Sequence, residues 1–161
     1  MANPKLSIGK RAPAFTLKDD QGERFRLTEH RGRWIVVFFC PAHTINSCRA
    51  EAVDFNKYLT KFKKAGAFLV GISNAPSKQL SAMRTESGLP FPMLSDRSSA
   101  VATGYGAFRE VKRGGVQYQT HVRCTFIIDP SGKIVSMWDN CRVKGHVERV
   151  HKNFIKVLEE E

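Results

Sequence analysis

Cysteine is the side chain in this sequence whose chemistry depends most on where it is held, and one of the four present, Cys48, stands where a helix should begin. After the apolar run Trp34 to Phe39 the chain reads Cys40-Pro41-Ala42-His43-Thr44-Ile45-Asn46-Ser47-Cys48 and continues Arg49-Ala50-Glu51. Helical spacing sets in at Ser47, a good N-cap residue, so Cys48 falls in the first turn. Unpaired backbone N–H groups and the positive end of the helix dipole favour an anion there, and Arg49 with a second, more distant arginine would favour it further. A thiol of pKa about 8.5 is only roughly 3% ionised at about pH 7, whereas one of about 6 is roughly 90% ionised. The chemistry expected of Cys48 is therefore nucleophilic attack by a thiolate.

Cys40, Cys124 and Cys141 follow at irregular spacings in a chain apolar enough to build a core without cross-links. The set is not read as a structural disulfide framework, and these three are expected to act as small apolar fillers. Cys40 and Cys48 also lack the two-residue spacing that lets neighbouring thiols exchange easily, which argues against a disulfide oxidoreductase. His43 with Cys40 and Cys48, and His121 or His146 from afar, offers zinc or copper ligands, but the spacing is wrong and no fourth ligand is apparent. No Gly-rich phosphate motif occurs, and neither metal nor cofactor is expected. His146 and His151 are read on the solvated side of the last helix. Met93, Met137 and the aromatic residues Phe15, Phe38, Phe39, Phe91 and Phe126 are read as packing.

The elements that must position Cys48 follow from hydrophobic periodicity. Phe15 to Leu17 and Phe25 to Leu27 alternate around Asp19-Asp20-Gln21-Gly22 and predict an N-terminal hairpin. Trp34 to Phe39 is a strand buried on both faces, ended by Pro41. A helix follows from Ser47 to Ala65-Gly66, with Ala50, Val53, Tyr58 and Phe62 inward. Phe68 to Ile72 is a second buried strand, Ser77 to Thr85 a helix, and Met93 to Ser95 a short strand. A short helix spans Ser98 to Thr103, and Arg109 to Gln119, with Gly114-Gly115, reads as a mobile loop. Val122 to Ile128 and Lys133 to Trp138 form a hairpin, and Val147, Val150, Phe154 and Leu158 mark a final amphipathic helix. This order implies an α/β fold with a mixed central sheet and helices on both faces.

The 161 residues suit one domain, residues 1–161. Met1 to Lys10 lack the apolar core of a signal peptide, and no run is long enough to span a bilayer, so a soluble, cytoplasmic protein without membrane contact is expected. The net charge of +11 invites a nucleic-acid reading, but the basic residues are scattered rather than clustered. Specific nucleic-acid binding is not expected.

Pro41, Cys48 and Glu51, preceded by Ala12-Pro13-Ala14-Phe15-Thr16-Leu17, resemble the active-site segment and lead-in of the peroxiredoxins. Leu89 to Asp96, Arg123 to Asp129 and Lys144-Gly145-His146 resemble the bacterioferritin-comigratory, or PrxQ-like, branch, so the likeness covers nearly the whole chain. It implies a thioredoxin-like fold and a thiol peroxidase in which Cys48 attacks hydrogen peroxide or a small organic hydroperoxide and becomes a sulfenic acid. It further implies that Pro41 shields the thiolate, Arg123 contacts thiolate and peroxide, and Glu51 orients Arg123.

In two places the chain departs from the family pattern. Ile45 occupies the usual threonine position, so Thr44, Ser47 or a backbone group would have to orient the peroxide. Val53 stands where many relatives carry a resolving cysteine. Cys40, Cys124 and Cys141 remain candidates for that role, and the reading favoured here is a one-cysteine cycle with a thioredoxin-like or small-thiol reductant attacking the sulfenic acid directly. The family is often monomeric, so a monomer or weak dimer is expected. The competing function is a redox sensor or chaperone-like binding protein with weak peroxidase activity.

Overall fold

The computed structural model describes residues 6–160; the first half of the leader-peptide reading, residues 1–5, and residue 161 lie outside them. Its frame is a seven-stranded mixed sheet. The strands are β1 (Thr16–Asp19), β2 (Arg24–Arg26), β3 (Trp34–Phe39), β4 (Ala67–Ser73), β5 (Met93–Ser95), β8 (Cys124–Ile128) and β9 (Ile134–Trp138), in the order β2-β1-β5-β4-β3-β8-β9. The pair β6 (Phe108–Arg113) and β7 (Val116–His121) stands apart as a two-stranded ribbon. The helices are α1 (Ile45–Lys57), α2 (Leu59–Lys64), α3 (Ser77–Ser87), α4 (Ala100–Gly104) and α5 (His146–Glu159).

Every residue of β3 is buried, because it pairs in parallel with β4 on one side and antiparallel with β8 on the other. Side chains alternate along a strand, so this one strand feeds two cores. Trp34, Val36, Phe38 and Cys40 join the core with α1, α2, α3 and α5, whereas Ile35, Val37 and Phe39 join that of α4 and the N-terminal hairpin. Helices thus cover both faces, as expected, and the chain leaves the centre of the sheet at Cys40 straight into α1. Gly71 of β4 has no side chain because a Cβ there would run into Phe38 and Met93.

Several local expectations are corrected. The helix expected from Ser47 starts at Ile45 and breaks at Tyr58, whose N–H falls back to Phe55 O at 3.1 Å. Its inward row is Cys48, Glu51, Ala52 and Phe55, while Ala50 is exposed and Val53 and Tyr58 are half-buried. A glutamate is normally a poor guide to a buried stripe, and here its charge is matched by a buried arginine. Arg109 to Gln119 is not a loop: β6 and β7 pair in register through Gly114 and Gly115, with φ of 59° and 80°. Two successive positive φ angles suit a tight hairpin turn whose twist matches its strands. His146 is fully buried rather than solvated, and His151 is half-buried against the rings of Tyr58 and Phe62. Arg123 lies just before β8, not inside a strand.

Candidate active site

The site forms where β3 and β8 deliver their ends beside the start of α1. Pro41, buried with φ of −68°, turns the chain out of β3 into a short 3-10 turn, Ala42–Thr44. That turn is pinned at both ends. Cys40 N–H donates to Ile72 O at 2.9 Å, continuing the β3–β4 ladder, and Ala42 N–H donates to Asn74 Oδ1 at 2.8 Å. The Thr44 N–H and hydroxyl both donate to Pro41 O, at 3.2 and 3.3 Å.

Arg123 ties this turn to α1. Its Nη1 donates to Glu51 Oε1 at 2.6 Å and its Nη2 to Thr44 Oγ1 at 3.3 Å. The Arg123 side chain is 8% exposed and that of Glu51 is fully buried, so the pair is shielded from solvent. Ile45, which occupies the usual threonine position, packs against the core around α1, and the hydroxyl one residue earlier meets the arginine instead. Pro41, His43, Thr44, Arg109, Tyr118 and Arg123 line an open cleft of about 490 Å³, with the β6–β7 ribbon as one wall.

Cys48 lies one helical turn before Glu51 on the same face of α1 and is fully buried. It is bonded to Cys40 in a disulfide, with Cα atoms 5.1 Å apart. Two of the four cysteines are thus joined, where free thiols were expected. Arg49 does not serve Cys48 but reaches Glu86 on α3 at 2.8 Å, at the surface. Of the five expected site residues, Arg123, Glu51, Thr44 and Pro41 form one bonded group at the cleft, and Cys48 faces the core beside it.

Sequence reasoning missed a layer of residues behind Arg123. The His146 imidazole lies with Nε2 2.7 Å from Thr125 Oγ1, 3.5 Å from Cys141 Sγ and 3.7 Å from Glu51 Oε2. Cys141 holds the Arg123 carbonyl through its N–H at 2.9 Å and its thiol at 3.3 Å. The signal for His146 was available: it precedes Val150 and Phe154 at helical spacing and so shares their buried phase.

Burial pushes the Glu51 carboxyl up to about 7, against the pull of the Arg123 charge. Its Oε2 has no hydrogen-bond partner among the described residues, which suits an oxygen that readily takes a proton. Burial, with Arg149 and Arg123 adding to it, lowers His146 to about 4, so the ring is neutral around neutral pH. Burial also raises the Cys124 and Cys141 thiols to about 12. Both stay protonated and make poor nucleophiles. Glu51, Cys141 and His146 bring an oxygen, a sulfur and a nitrogen within 4.8 Å of one another, but the Arg123 guanidinium already occupies the carboxylate and would repel a metal ion.

Comparison with known proteins agrees with this geometry. Residues 8–137 match the AhpC/TSA family. "Putative peroxiredoxin Rv2521" of Mycobacterium tuberculosis is 39% identical over 92% of this chain and 95% of its own length. Peroxiredoxin Bcp of Escherichia coli K12 is 33% identical over 89% and 92%. Among solved structures, Peroxiredoxin Q of Xanthomonas campestris superposes with a TM-score of 0.83 at 30% identity, over 88% of this chain and 90% of its own. With that neighbour the sheet and helices are those of the thioredoxin-like fold. This chain belongs to the AhpC/TSA family, in its Bcp and PrxQ branch of peroxiredoxins, and is a thiol-dependent peroxidase acting on a peroxide with a thiol as reductant.

Proposed function

We propose that Cys48 is the peroxidatic cysteine and that Arg123, Glu51, Thr44 and Pro41 build its peroxide site, within a single domain that spans the chain. With the Cys40 bond reduced, the Cys48 thiolate at the start of α1 attacks the nearer peroxide oxygen in line with the O–O bond. A sulfur–oxygen bond forms, the O–O bond breaks, and the leaving oxide takes a proton from water, giving water or an alcohol and a sulfenic acid at Cys48. The arginine between Glu51 and Thr44 carries this reading, since a guanidinium held from behind by a buried carboxylate is fixed in advance where charge grows on the departing oxygen.

Pro41, buried at the rim, keeps bulk water from the thiolate. The Thr44 hydroxyl, spare in one lone pair beyond its bond to Pro41 O and its contact with Arg123, supplies the orientation that Ile45 cannot. Thr44→Val is expected to slow peroxide reduction by about tenfold, from the loss of one hydrogen bond of roughly 1.4 kcal/mol in the transition state, while Thr44→Ser stays within about twofold of wild type. Stopped-flow rates of the reduced variants check both, and equal rates for Thr44→Val would remove the hydroxyl from the mechanism.

Hydrogen peroxide and small organic hydroperoxides fit a cleft open to solvent, and a Xanthomonas campestris bacterioferritin comigratory protein of the same fold is described by its alkyl peroxide reduction. The reductant in this reading is a thioredoxin-like protein or small thiol, and the enzyme is a monomer or weak dimer of the cytoplasm. No described helix is long and apolar enough to cross a membrane. The deciding experiment mixes reduced protein with one equivalent of hydrogen peroxide and follows both peroxide loss and the oxidised peptide. Rapid consumption is expected, with Cys48 among the oxidised residues and Cys124 and Cys141 left as thiols. Consumption at the rate of an unactivated thiol would overturn the proposal.

A further inference from the structure

We propose that Cys40 is the resolving cysteine of this enzyme, and that it captures the Cys48 sulfenic acid as an intrachain disulfide while α1 stays wound. This deepens the peroxidase reading above and rests on it.

Strand alternation is the first support. Cys40 continues the row Trp34, Val36, Phe38, so its side chain leaves the sheet on the face packed by α1 and enters the same core as Cys48, Ala52 and Phe55. Eight residues separate the two cysteines in sequence, yet their Cα atoms lie 5.1 Å apart, within the roughly 4.4–6.8 Å that disulfides span. The two are in fact bonded in this structure.

The state of the surrounding backbone is the second. With the bond in place, α1 is helical from Ile45, the 3-10 turn Ala42–Thr44 is formed, and Cys40 N–H still pairs with Ile72 O at 2.9 Å. Nothing has to unwind to bring the sulfurs together.

The other two thiols are badly placed. Cys124 points to the opposite core with Phe39, Phe126 and Ile128. Cys141 is committed to the Arg123 carbonyl at 3.3 Å.

The step balances without a further reactant. The Cys40 sulfur attacks the Cys48 sulfur, the S–O bond breaks as the S–S bond forms, and the Cys40 thiol proton leaves with the hydroxide as water. An external dithiol then returns both cysteines to thiols and is itself oxidised to a disulfide. Because Cys40 is 1% exposed and Cys48 fully buried, that reduction requires the turn between them to open. Capture is therefore faster than release, and the sulfenic acid is protected from a second peroxide.

The test treats reduced wild type, Cys40→Ser and Cys40→Ala with a small excess of hydrogen peroxide, and reads intact mass and mapped peptides with a sulfenic-acid trap present. Wild type is expected to become two hydrogens lighter, untrapped, with Cys40 cross-linked to Cys48. Both variants, including the better packed alanine, are expected to trap at Cys48 and, without the trap, to gain two oxygens as sulfinic acid. Amide exchange in residues 45–57 is expected to match between reduced and oxidised wild type.

Trapping of wild type at Cys48 without a disulfide would overturn the inference and leave the peroxidase intact. A cross-link to Cys124 or Cys141 would overturn it too. Loss of exchange protection in residues 45–57 on oxidation would overturn the wound-helix part. An unreactive Cys48 would defeat the peroxidase reading and this inference together.

Discussion

Cys48→Ser is expected to reduce peroxide consumption to background, a loss of at least about a thousandfold in the second-order rate. A serine hydroxyl is not ionised near neutral pH, and the helix start and the arginine that suit a thiolate cannot make it a comparable nucleophile. The substitution removes the reacting atom and little else, because Cys48 is a small buried residue among Ala52, Phe55 and Cys40. A hydroxyl in that core costs about 1–3 kcal/mol, so folding is to be checked by thermal unfolding before rates are compared. Stopped-flow peroxide loss is the measurement. A Cys48→Ser protein that turned over at the wild-type rate would move the chemistry to another residue.

The buried ion pair is expected to give the second large effect. Arg123→Met removes the guanidinium held by Glu51 and Thr44 and should cost about 100–1,000-fold in peroxide reduction, the range seen when one preorganised donor to a developing charge is lost. It also leaves Glu51 without its partner. Breaking a buried pair costs about 3–5 kcal/mol, moderated here because Glu51 can take a proton instead. Arg123→Lys keeps the charge but not the fork that reaches Glu51 and Thr44 together, and is expected to recover stability better than rate. Recovery of full rate by lysine would show that only charge matters.

Glu51 and His146 give this pair a pH signature. The folded-state value of Glu51, about 7, lies above its ordinary 4.5, so its contribution to stability is present below about 4.5 and lost as pH rises through about 7. His146, at about 4 against an ordinary 6.5, does the reverse: its contribution is present above about 6.5 and lost as pH falls through about 4. Between about 4.5 and 6.5 the two slopes oppose and largely cancel. Glu51→Gln removes the falling one. The variant is therefore expected to gain stability with rising pH more steeply than wild type across that interval. Urea unfolding midpoints over the interval provide the check, and parallel curves would mean that Glu51 does not hold its proton in the fold.

The apolar run Trp34 to Phe39 could only be a strand buried on both faces, and Pro41 had to end it, so the point at which the chain leaves the sheet was legible. The position of Cys48 in a first helical turn was legible for the same local reason, even though the helix begins two residues earlier than Ser47 suggests. Arg123, Glu51 and Pro41 were legible through family resemblance rather than through pattern. Periodicity misled where a charge is buried: it turned Ala50 and Val53 inward, whereas Glu51 takes the buried face, and Arg123, 72 positions away, makes that burial tolerable. The β6–β7 ribbon was hidden by its polar, exposed strands, although the Gly114-Gly115 turn carried a hairpin signal.

The sequence by itself determined the order along the chain of the strands of the main sheet, the thiol that follows the central strand and the chemistry a helix start favours, because these rest on neighbours in the chain. Tertiary structure decided which hydroxyl meets Arg123, which way Arg49 turns, that His146 is enclosed, and that Cys40 shares a core with Cys48. Each of those depends on register: β3 against β4 and β8, and α1 against the face of β3 on which Cys40 emerges. Register is a relation between distant segments, fixed by how their side chains pack together, and no window of local sequence contains it.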